Sequence, residues 1–344
     1  MRYGRFLSCQ NPRLTLGTWG APQGRNGTAA LPASQSTALA PAVAESARPM
    51  SARRTQARAV VWNLYLGGID GDSEERLHGQ VEILASLAPD ILCLPECNRW
   101  DEQKKRRLSW VARRLDMKPV AMVRSRLGRK PIRNHTTLLY RPSTFRLLWW
   151  EDRGRGVFHH ALIRARLRPA DATDDRADIL LQGAHLSWTN GDTRLAEVRG
   201  WMTDDAGEFP DVPPRGIILA DMNTPDREPA NWDLVPKNLH ARYRLVLPDG
   251  SFGGADQRAV QVLLNSGWQD PQELTGTKRA ATVGYWYANE PVPWCLDYAL
   301  VRGLDVQTYR THDTPRARAL SDHLPVVLDA SWSPGPATTP EAMT

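Results

Sequence analysis

Short apolar runs, most of them rich in Val, Ile, Leu and aromatic residues, recur along the chain from residue 59 onward. Runs of this length and composition predict β-strands, and they fall at 59–66, 91–94, 119–123, 136–140, 145–150, 161–167, 178–186, 216–220, 297–301, 304–309 and 324–330. Apolar residues at helical spacing predict helices over 72–88, 101–115, 192–203 and 256–267. Strands outnumber helices, which favours two mainly antiparallel sheets packed together and covered by helices.

Six of the apolar segments carry Asn, Asp, Glu or His at one end. They lie at 60–63, 91–96, 180–185, 217–223, 295–298 and 319–328. One such segment is ordinary, but six of them spread over most of the chain predict strands that deliver polar side chains to a common site. In the last segment, Ser321, Asp322 and His323 directly precede an apolar run. A carboxylate and an imidazole are therefore expected at the mouth of a buried strand.

Composition divides the chain into a leader, one domain and a tail. Residues 1–57 are rich in Ala, Pro, Ser, Thr, Gly and Arg without a sustained period, which predicts a disordered leader. Residues 58–332 contain no internal repeat or linker and are predicted to form the catalytic domain, followed by a flexible tail over 333–344. Within the domain, the Pro-rich stretch 225–254 is expected to be a long irregular surface insertion.

Charge and cysteine content limit the cellular setting. The chain of 344 residues carries a net charge of +6, but residues 1–58 hold eight arginines and one acid. Residues 1–58 therefore carry +7 and residues 59–344 carry −1, so the basic pI is weak evidence for nucleic-acid binding. The four cysteines have no paired or zinc-like spacing, which favours a reducing compartment. We expect a cytoplasmic monomer without a transmembrane segment, with secretion or targeting by residues 1–57 as the alternative.

The six polar-ended segments, in this order, resemble the endonuclease/exonuclease/phosphatase superfamily, which includes DNase I-like nucleases, sphingomyelinases and inositol polyphosphate phosphatases. The resemblance covers roughly residues 59–332. The Ser-Asp-His-Leu-Pro-Val segment at 321–326 is the most specific, and the Asp-Met-Asn and Leu-Asp-Tyr segments support it. The resemblance implies an α+β fold, a four-layer α/β/β/α sandwich of the DNase I type, and metal-dependent cleavage of a phosphate ester.

The resemblance also assigns a metal site. Glu96 matches the family's principal metal ligand, and Asp322, with help from Asn63, would complete the metal shell. Mg²⁺ is the expected ion, with Mn²⁺ as the alternative, because a hard cation that keeps several waters suits a few carboxylates and offsets the charge of a phosphodiester. Alone, Glu96 would be interpreted as a surface acid after a strand.

Catalytic and phosphate-binding roles follow from the same resemblance. His323 matches the histidine beside the scissile phosphate, and Asp297 the carboxylate that orients it. Asp221 would align or deprotonate the attacking water, and Asn223 would donate a hydrogen bond to a phosphate oxygen, as would Asn63. His185 matches a second histidine that contacts the phosphate or protonates the leaving oxygen.

Structural roles remain open for two of these residues. Asn-Thr-Pro-Asp at 223–226 is a good turn sequence, which alone would explain Asn223. A single strand histidine such as His185 is more often structural. Tyr65 stands where abasic-site endonucleases usually carry Asp, which together with His185 argues against that branch of the family.

The substrate is less well defined by the sequence. Residues 101–133 carry twelve Lys or Arg and three acids, and a basic loop over 124–133 would grip successive phosphates of a nucleic acid. Tryptophans that could stack on bases are Trp149, Trp150, Trp188, Trp286 and Trp294. A nuclease of the endonuclease type, with nucleic acid as substrate, is the leading hypothesis. The alternatives are a phosphatase or phosphodiesterase acting on an inositol phosphate or phospholipid headgroup, and a non-catalytic binding module, which the intact set of site residues disfavours.

Overall fold

A computed structural model describes residues 54–126, 133–207, 209 and 212–335 of the chain. Within these residues the strands are β1 (Thr55–Val61), β2 (Ile91–Leu94), β3 (Lys118–Arg124), β4 (His135–Tyr140), β5 (Phe145–Asp152), β6 (Ala161–Pro169), β7 (Ile179–His185), β8 (Gly216–Asp221), β9 (Arg244–Val246), β10 (Phe252–Ala255), β11 (Asp297–Arg302), β12 (Asp305–Thr311) and β13 (Val326–Trp332). The helices are α1 (Glu75–Leu87), α2 (Glu102–Arg114), α3 (Gly191–Val198), α4 (Lys237–Tyr243), α5 (Arg258–Asn265), α6 (Pro271–Thr275) and α7 (Pro315–Arg318).

Two large sheets form the centre of the domain. One has six strands in the order β12-β13-β1-β2-β4-β3, and the other has five in the order β11-β8-β7-β6-β5. Most neighbours are antiparallel, but β1 and β2 are parallel, as are β7 and β8. Strands β9 and β10 form a separate two-stranded sheet.

Alternation of side chains along the strands builds three apolar layers. In β8, Ile217 and Leu219 point into the core between the two large sheets, whereas Ile218 and Ala220 point to the opposite face. In β1, Val61 joins the core between the sheets and Val60 joins the outer layer. Each sheet is thus buried on both faces.

Helices cover the two outer faces. Leu84 of α1 and Val111 of α2 pack against the six-stranded sheet. Val198 of α3 and Leu263 of α5 pack against the five-stranded sheet. The order is helix, sheet, sheet, helix, so the predicted four-layer α/β/β/α sandwich is confirmed.

Two segments differ from the sequence prediction. The first strand ends at Val61 rather than at residue 66, because the chain turns there and Tyr65 adopts a left-handed backbone conformation. The stretch 225–254 is not irregular: it holds α4, β9 and most of β10. Val235, Leu239 and Tyr243 pack in a small core of their own with Trp294. The sequence analysis missed this packing because the high Pro content of the stretch favours an irregular loop.

The ends of the domain are only partly described. Strand β1 begins at Thr55, three residues before the predicted domain start at 58. The predicted leader up to residue 53 and the predicted tail from 336 lie outside the described residues. In the part of the chain that the structure covers, none of the helices has both the length and the apolar character needed to cross a bilayer.

Two amino-terminal truncations test where the domain begins. Removal of residues 1–53 retains β1, whereas removal of residues 1–57 deletes Arg54, which contacts Asp305 and Ser331, together with Thr55, Gln56 and Ala57, which pair with β13. A cross-strand pair contributes about 0.2–1 kcal/mol, so the longer truncation should lower the free energy of unfolding by about 1–3 kcal/mol relative to the shorter one. Urea denaturation followed by circular dichroism measures this difference. Equal midpoints would show that residues 54–57 add nothing to the stability of the domain.

Candidate active site

The polar strand ends converge on one pocket of about 390 Å³. Seven of the eight predicted site residues line it: Asn63, Glu96, His185, Asp221, Asn223, Asp322 and His323. The eighth, Asp297, is fully buried and hydrogen-bonded to His323. The structure therefore brings all eight side chains together.

Strand pairing explains this convergence. Strands β1 and β2 are parallel, so they end at the same edge of their sheet, and Asn63 and Glu96 each follow two residues after the strand end. In the second sheet, His185 of β7 is the register partner of Asp221 in parallel β8. Asp297 opens β11 opposite Asp221. Two parallel pairs within mostly antiparallel sheets thus place these side chains at one edge.

Side-chain hydrogen bonds tie the Ser-Asp-His segment to β1. The hydroxyl of Ser321 donates to the carbonyl oxygen of Asn63 at 2.7 Å, and the indole N–H of Trp62 donates to the carbonyl oxygen of His323 at 2.8 Å. Ser321 and Trp62 are both fully buried. The backbone that carries Asp322 and His323 is therefore held rigidly.

Asp297 and His323 form a short pair. The Nδ1 atom of His323 lies 2.7 Å from Oδ2 of Asp297. Burial alone would lower the pKa of His323, but the charges of Asp297 and Asp221 raise it well above its ordinary value. Burial raises the pKa of Asp297, and the charge of His323 opposes that rise. The geometry favours an imidazolium that stays charged at neutral pH while Nε2 remains free to face the pocket.

Asp221 is held from three sides. Its Oδ2 accepts a hydrogen bond from Nδ2 of Asn63 at 2.9 Å and lies 3.5 Å from Nε2 of His185, and its Oδ1 accepts from the backbone N–H of Asn223 at 2.9 Å. Burial, followed by the charges of His323 and His159, lowers the pKa of His185 to about 3. His185 is therefore neutral at pH 7 and can donate one hydrogen bond.

Glu96 and Asp322 form the acidic side of the pocket. Glu96 has a left-handed backbone, with φ of 58°, and its Oε2 accepts a hydrogen bond from the N–H of Leu66 at 3.2 Å. Burial and the neighbouring charge of Asp322 raise the pKa of Glu96 to about 7. The pKa of Asp322 is also raised, chiefly by burial.

These two carboxylates fit a divalent cation. Oδ1 of Asp322 is buried and has no hydrogen-bond partner among the described residues, and its other oxygen lies 3.4 Å from the hydroxyl of Tyr287. Like charges held close together in a buried setting are stabilised by a cation, and carboxylate oxygens are the ligands that hard cations prefer.

A second group of possible ligands lies beside the first. Donor atoms of Asp221, Asp297 and His323 all lie within 4.8 Å of one another. A histidine whose pKa is raised keeps both ring protons and cannot ligate a metal. Asp221, Asp297 and His323 are therefore better suited to stabilise a charged imidazole than to bind a metal ion. Glu96 and Asp322 remain the stronger pair.

The model of the endonuclease/exonuclease/phosphatase family matches residues 60–323, which include all eight site residues. The chain belongs to this family. Members of the family hydrolyse phosphoester bonds. A search of the curated proteins gave no match.

Solved structures with the family's fold resemble the chain over most of its length. An endonuclease/exonuclease/phosphatase from Bacteroides vulgatus is 13% identical with a TM-score of 0.56, covering 80% of this chain and 98% of its own. ANGEL2, described as a 2',3'-cyclic phosphatase, is 13% identical with a TM-score of 0.53, covering 81% and 95%. TDP2 of D. rerio, complexed with a single-strand DNA product, is 15% identical with a TM-score of 0.52, covering 80% and 98%. At these identities the likeness shows the fold alone.

A stack of histidines beside His185 was missed by sequence reasoning. The ring of His160 stacks on His185 with centroids 3.8 Å apart, and His159 stacks on His160 at 4.6 Å. Ser125 Oγ lies 2.8 Å from Nδ1 of His160, and burial together with the charges of His185 and His159 lowers the pKa of His160. The sequence signal for this stack is the pair of histidines, His159 and His160, directly before the apolar strand β6. It makes β6 a seventh apolar run with polar residues at one end.

The five predicted tryptophans divide into two groups. Trp188, Trp286 and Trp294 line the pocket, although Trp294 is buried. Trp149 and Trp150 lie on β5 and are not among the pocket residues. Tyr65 and Tyr287 contact one another and belong to the same wall as Trp286.

The predicted basic loop over 124–133 is less free than its sequence indicates. Arg126 pairs with Asp152, and Arg133 pairs with Glu102 at 2.8 Å. Residues 127–132 of this loop, among them Arg129 and Lys130, lie outside the described residues. In α2, Arg107 is likewise paired with Glu74 at 2.8 Å. Four of the ten described basic side chains of residues 101–133, at positions 106, 107, 126 and 133, are thus paired with an acid within the protein.

Replacing Asp297 by Asn tests the buried pair. Asp297→Asn keeps the shape of the side chain but removes the charge that raises the pKa of His323. Turnover should fall by about a hundredfold or more, the scale of a lost charge-stabilising or acid–base group. Steady-state hydrolysis of bis-p-nitrophenyl phosphate measures this loss. Asp116→Asn, at an exposed position, is the matched control. Equal turnover of the two variants would show that Asp297 has no role in the reaction.

Proposed function

We propose that this protein is a divalent-metal-dependent phosphodiesterase that cleaves its substrate by in-line attack of water, with a nucleic acid as that substrate. The observation that carries the proposal is the Asp297–His323 pair at 2.7 Å in the same pocket as Asp221, Glu96 and Asp322. A cationic imidazole, a carboxylate and an acidic pair are the groups that phosphodiester hydrolysis requires.

Glu96 and Asp322 would hold the metal, with Mg²⁺ as the expected ion and Mn²⁺ as the alternative. When bound, the cation supplies Lewis-acid polarisation of the phosphate and offsets its negative charge. The oxygen-only donor pair supports this choice, because hard cations prefer carboxylates and water.

The remaining site residues bind and orient the phosphate and the water. His323 donates from Nε2 to a non-bridging phosphate oxygen, while Nδ1 stays on Asp297. Asp221 orients the attacking water and accepts its proton, and Asn63 keeps the carboxylate of Asp221 in place. Asn223 uses one amide N–H on the carbonyl oxygen of Leu186 and has a second for the phosphate. His185 is neutral and contributes a hydrogen bond rather than a proton.

Two structural neighbours support a nucleic-acid substrate. ANGEL2 is described as a 2',3'-cyclic phosphatase, and D. rerio TDP2 was solved with a single-strand DNA product. The exposed aromatic rings on the pocket wall suit unpaired bases. We further propose that the protein works in a reducing compartment, the cytoplasm, since Cys93, Cys97 and Cys295 are buried free thiols. A monomer remains our expected oligomeric state.

One observation favours the second candidate, a phosphatase or phosphodiesterase of an inositol phosphate or phospholipid headgroup. The β9–β10 hairpin exposes Val246, Leu247 and Phe252 to solvent. Exposed apolar side chains on a hairpin near a catalytic pocket would suit contact with a lipid surface.

A substrate panel decides between the two candidates. Plasmid DNA, single-stranded RNA, bis-p-nitrophenyl phosphate, sphingomyelin and inositol phosphates are each incubated with Mg²⁺ or with EDTA. We expect hydrolysis of bis-p-nitrophenyl phosphate and of nucleic acid with Mg²⁺, and its loss in EDTA. Cleavage of sphingomyelin or an inositol phosphate without nucleic-acid cleavage would establish the second candidate, and no hydrolysis of any member would overturn both.

Replacing Glu96 by Gln tests the metal site. Glu96→Gln removes one of the two paired carboxylates, so the Mg²⁺ concentration for half-maximal activity should rise by about tenfold or more, the scale of an altered metal contact. A second readout needs no turnover: Mg²⁺ should raise the melting temperature of the wild type more than that of the variant. Glu75→Gln, at an exposed position on α1, is the control. An unchanged Mg²⁺ titration would exclude Glu96 as a ligand.

A further inference from the structure

Trp188 is the most exposed tryptophan of the pocket. It follows three residues after His185, and 46% of its surface is accessible. A series of rings places it close to the catalytic side chains: its centroid lies 6.2 Å from His159, which stacks on His160, which stacks on His185. An exposed indole presents a flat aromatic face on which a planar ligand can stack.

Arg242 lies over this indole. Its guanidinium carbon is 4.9 Å from the ring centroid of Trp188 and 5.6 Å from that of Tyr243. Unlike many arginines of this protein, Arg242 forms no ion pair with a carboxylate anywhere in the described residues. It also lines the pocket. The guanidinium is within hydrogen-bond reach of the hydroxyl of Tyr243, and its remaining donors are available to a ligand that lies against Trp188.

The ordered insertion closes this side of the pocket. Arg242 belongs to α4, and Val235 and Leu239 of the same insertion form an apolar floor with Val292 and Leu296. A volume of about 390 Å³ is within the range in which pockets bury single small ligands. The pocket is therefore large enough to take one nucleotide-sized group beside the catalytic side chains.

We propose that Trp188 and Arg242 form a subsite for the nucleobase of the nucleotide that carries the reacting phosphate. The base would stack on the exposed part of the indole, and the guanidinium would donate to acceptors on its edge. The inference rests on the proposed function, since it places a nucleotide in the catalytic pocket. It narrows the substrate to unpaired nucleotides, because a base in a duplex cannot leave its stack to enter the pocket without a further cost.

Charge on this side of the pocket favours a base over a quaternary ammonium headgroup. An aromatic wall can attract an ammonium group through its ring faces, but the positive charge of Arg242 beside Trp188 would repel a second cation. Glu290 also lines this region, yet it forms no ion pair with Arg242. A neutral heteroaromatic ring with acceptor and donor edges satisfies both side chains.

The test uses a single-stranded oligonucleotide in which one phosphodiester is cleavable and the flanking linkages are methylphosphonates. Two analogues lack the base on one or the other side of that bond. For the wild-type protein, loss of one of these bases should lower kcat/KM about tenfold or more, mainly through KM, the scale of one lost base–aromatic stack. In Trp188→Ala the difference between the base-bearing and abasic substrates should disappear, and in Arg242→Ala it should shrink.

Two controls and one reference reaction separate the outcomes. Trp150→Ala removes a tryptophan with 45% exposure outside the pocket, and Arg310→Ala removes an exposed arginine of β12. Both should keep the wild-type preference. Two results would overturn the subsite alone. The first is equal kcat/KM for all three oligonucleotides in a wild-type protein that still hydrolyses bis-p-nitrophenyl phosphate. The second is a preference for the base-bearing substrate in Trp188→Ala that equals the preference in Trp150→Ala. Failure of the wild type on bis-p-nitrophenyl phosphate and every oligonucleotide would overturn the proposed function itself.

Discussion

Parallel pairing of strands at two places sets the arrangement of the whole candidate active site. Where β1 lies beside β2 and β7 beside β8, neighbouring strands end at the same edge. The residues that follow those ends then share one region of space, although they are far apart in sequence. Asn63 reaches Asp221 across the gap between the two sheets through a hydrogen bond of 2.9 Å. The sheets could shift against one another only by breaking this buried bond, whose unpaired groups would be costly.

The same arrangement concentrates negative charge. Glu96, Asp221, Asp297 and Asp322 lie close to one imidazole, and the pKa values of Glu96, Asp297 and Asp322 are all raised. Folding alone thus leaves the carboxylates in an unfavourable setting, whereas binding of a cation and a phosphate would distribute the charge more evenly. Carboxyl groups whose pKa values are raised by burial and by neighbouring negative charges are typical of catalytic sites.

Much of the fold was accessible from the sequence because the strands are short, apolar and separated by clear turns. Strand β2 was predicted with its observed ends, since Pro89 and Pro95 bound it. The insertion was misjudged, because its core forms with Trp294, which lies about forty residues further along the chain and cannot be paired with it by local pattern. Among the site residues, those at strand ends could be predicted from the sequence, because each is a polar residue at the end of an apolar run. Arg242 could not, because a surface arginine on a short helix looks like any other until Trp188 is seen beneath it.

Four residues around the pocket have left-handed backbones without being glycine: Tyr65, Leu66, Glu96 and Asn223. For a residue with a Cβ atom this conformation costs roughly 1–2 kcal/mol. Glycine at Glu96 would relieve that cost but would abolish the carboxylate. The domain therefore contains strained backbone conformations at the positions where an acid, an amide and an aromatic ring must point into the pocket. A homologue selected purely for thermal robustness would be expected to lose these side chains first.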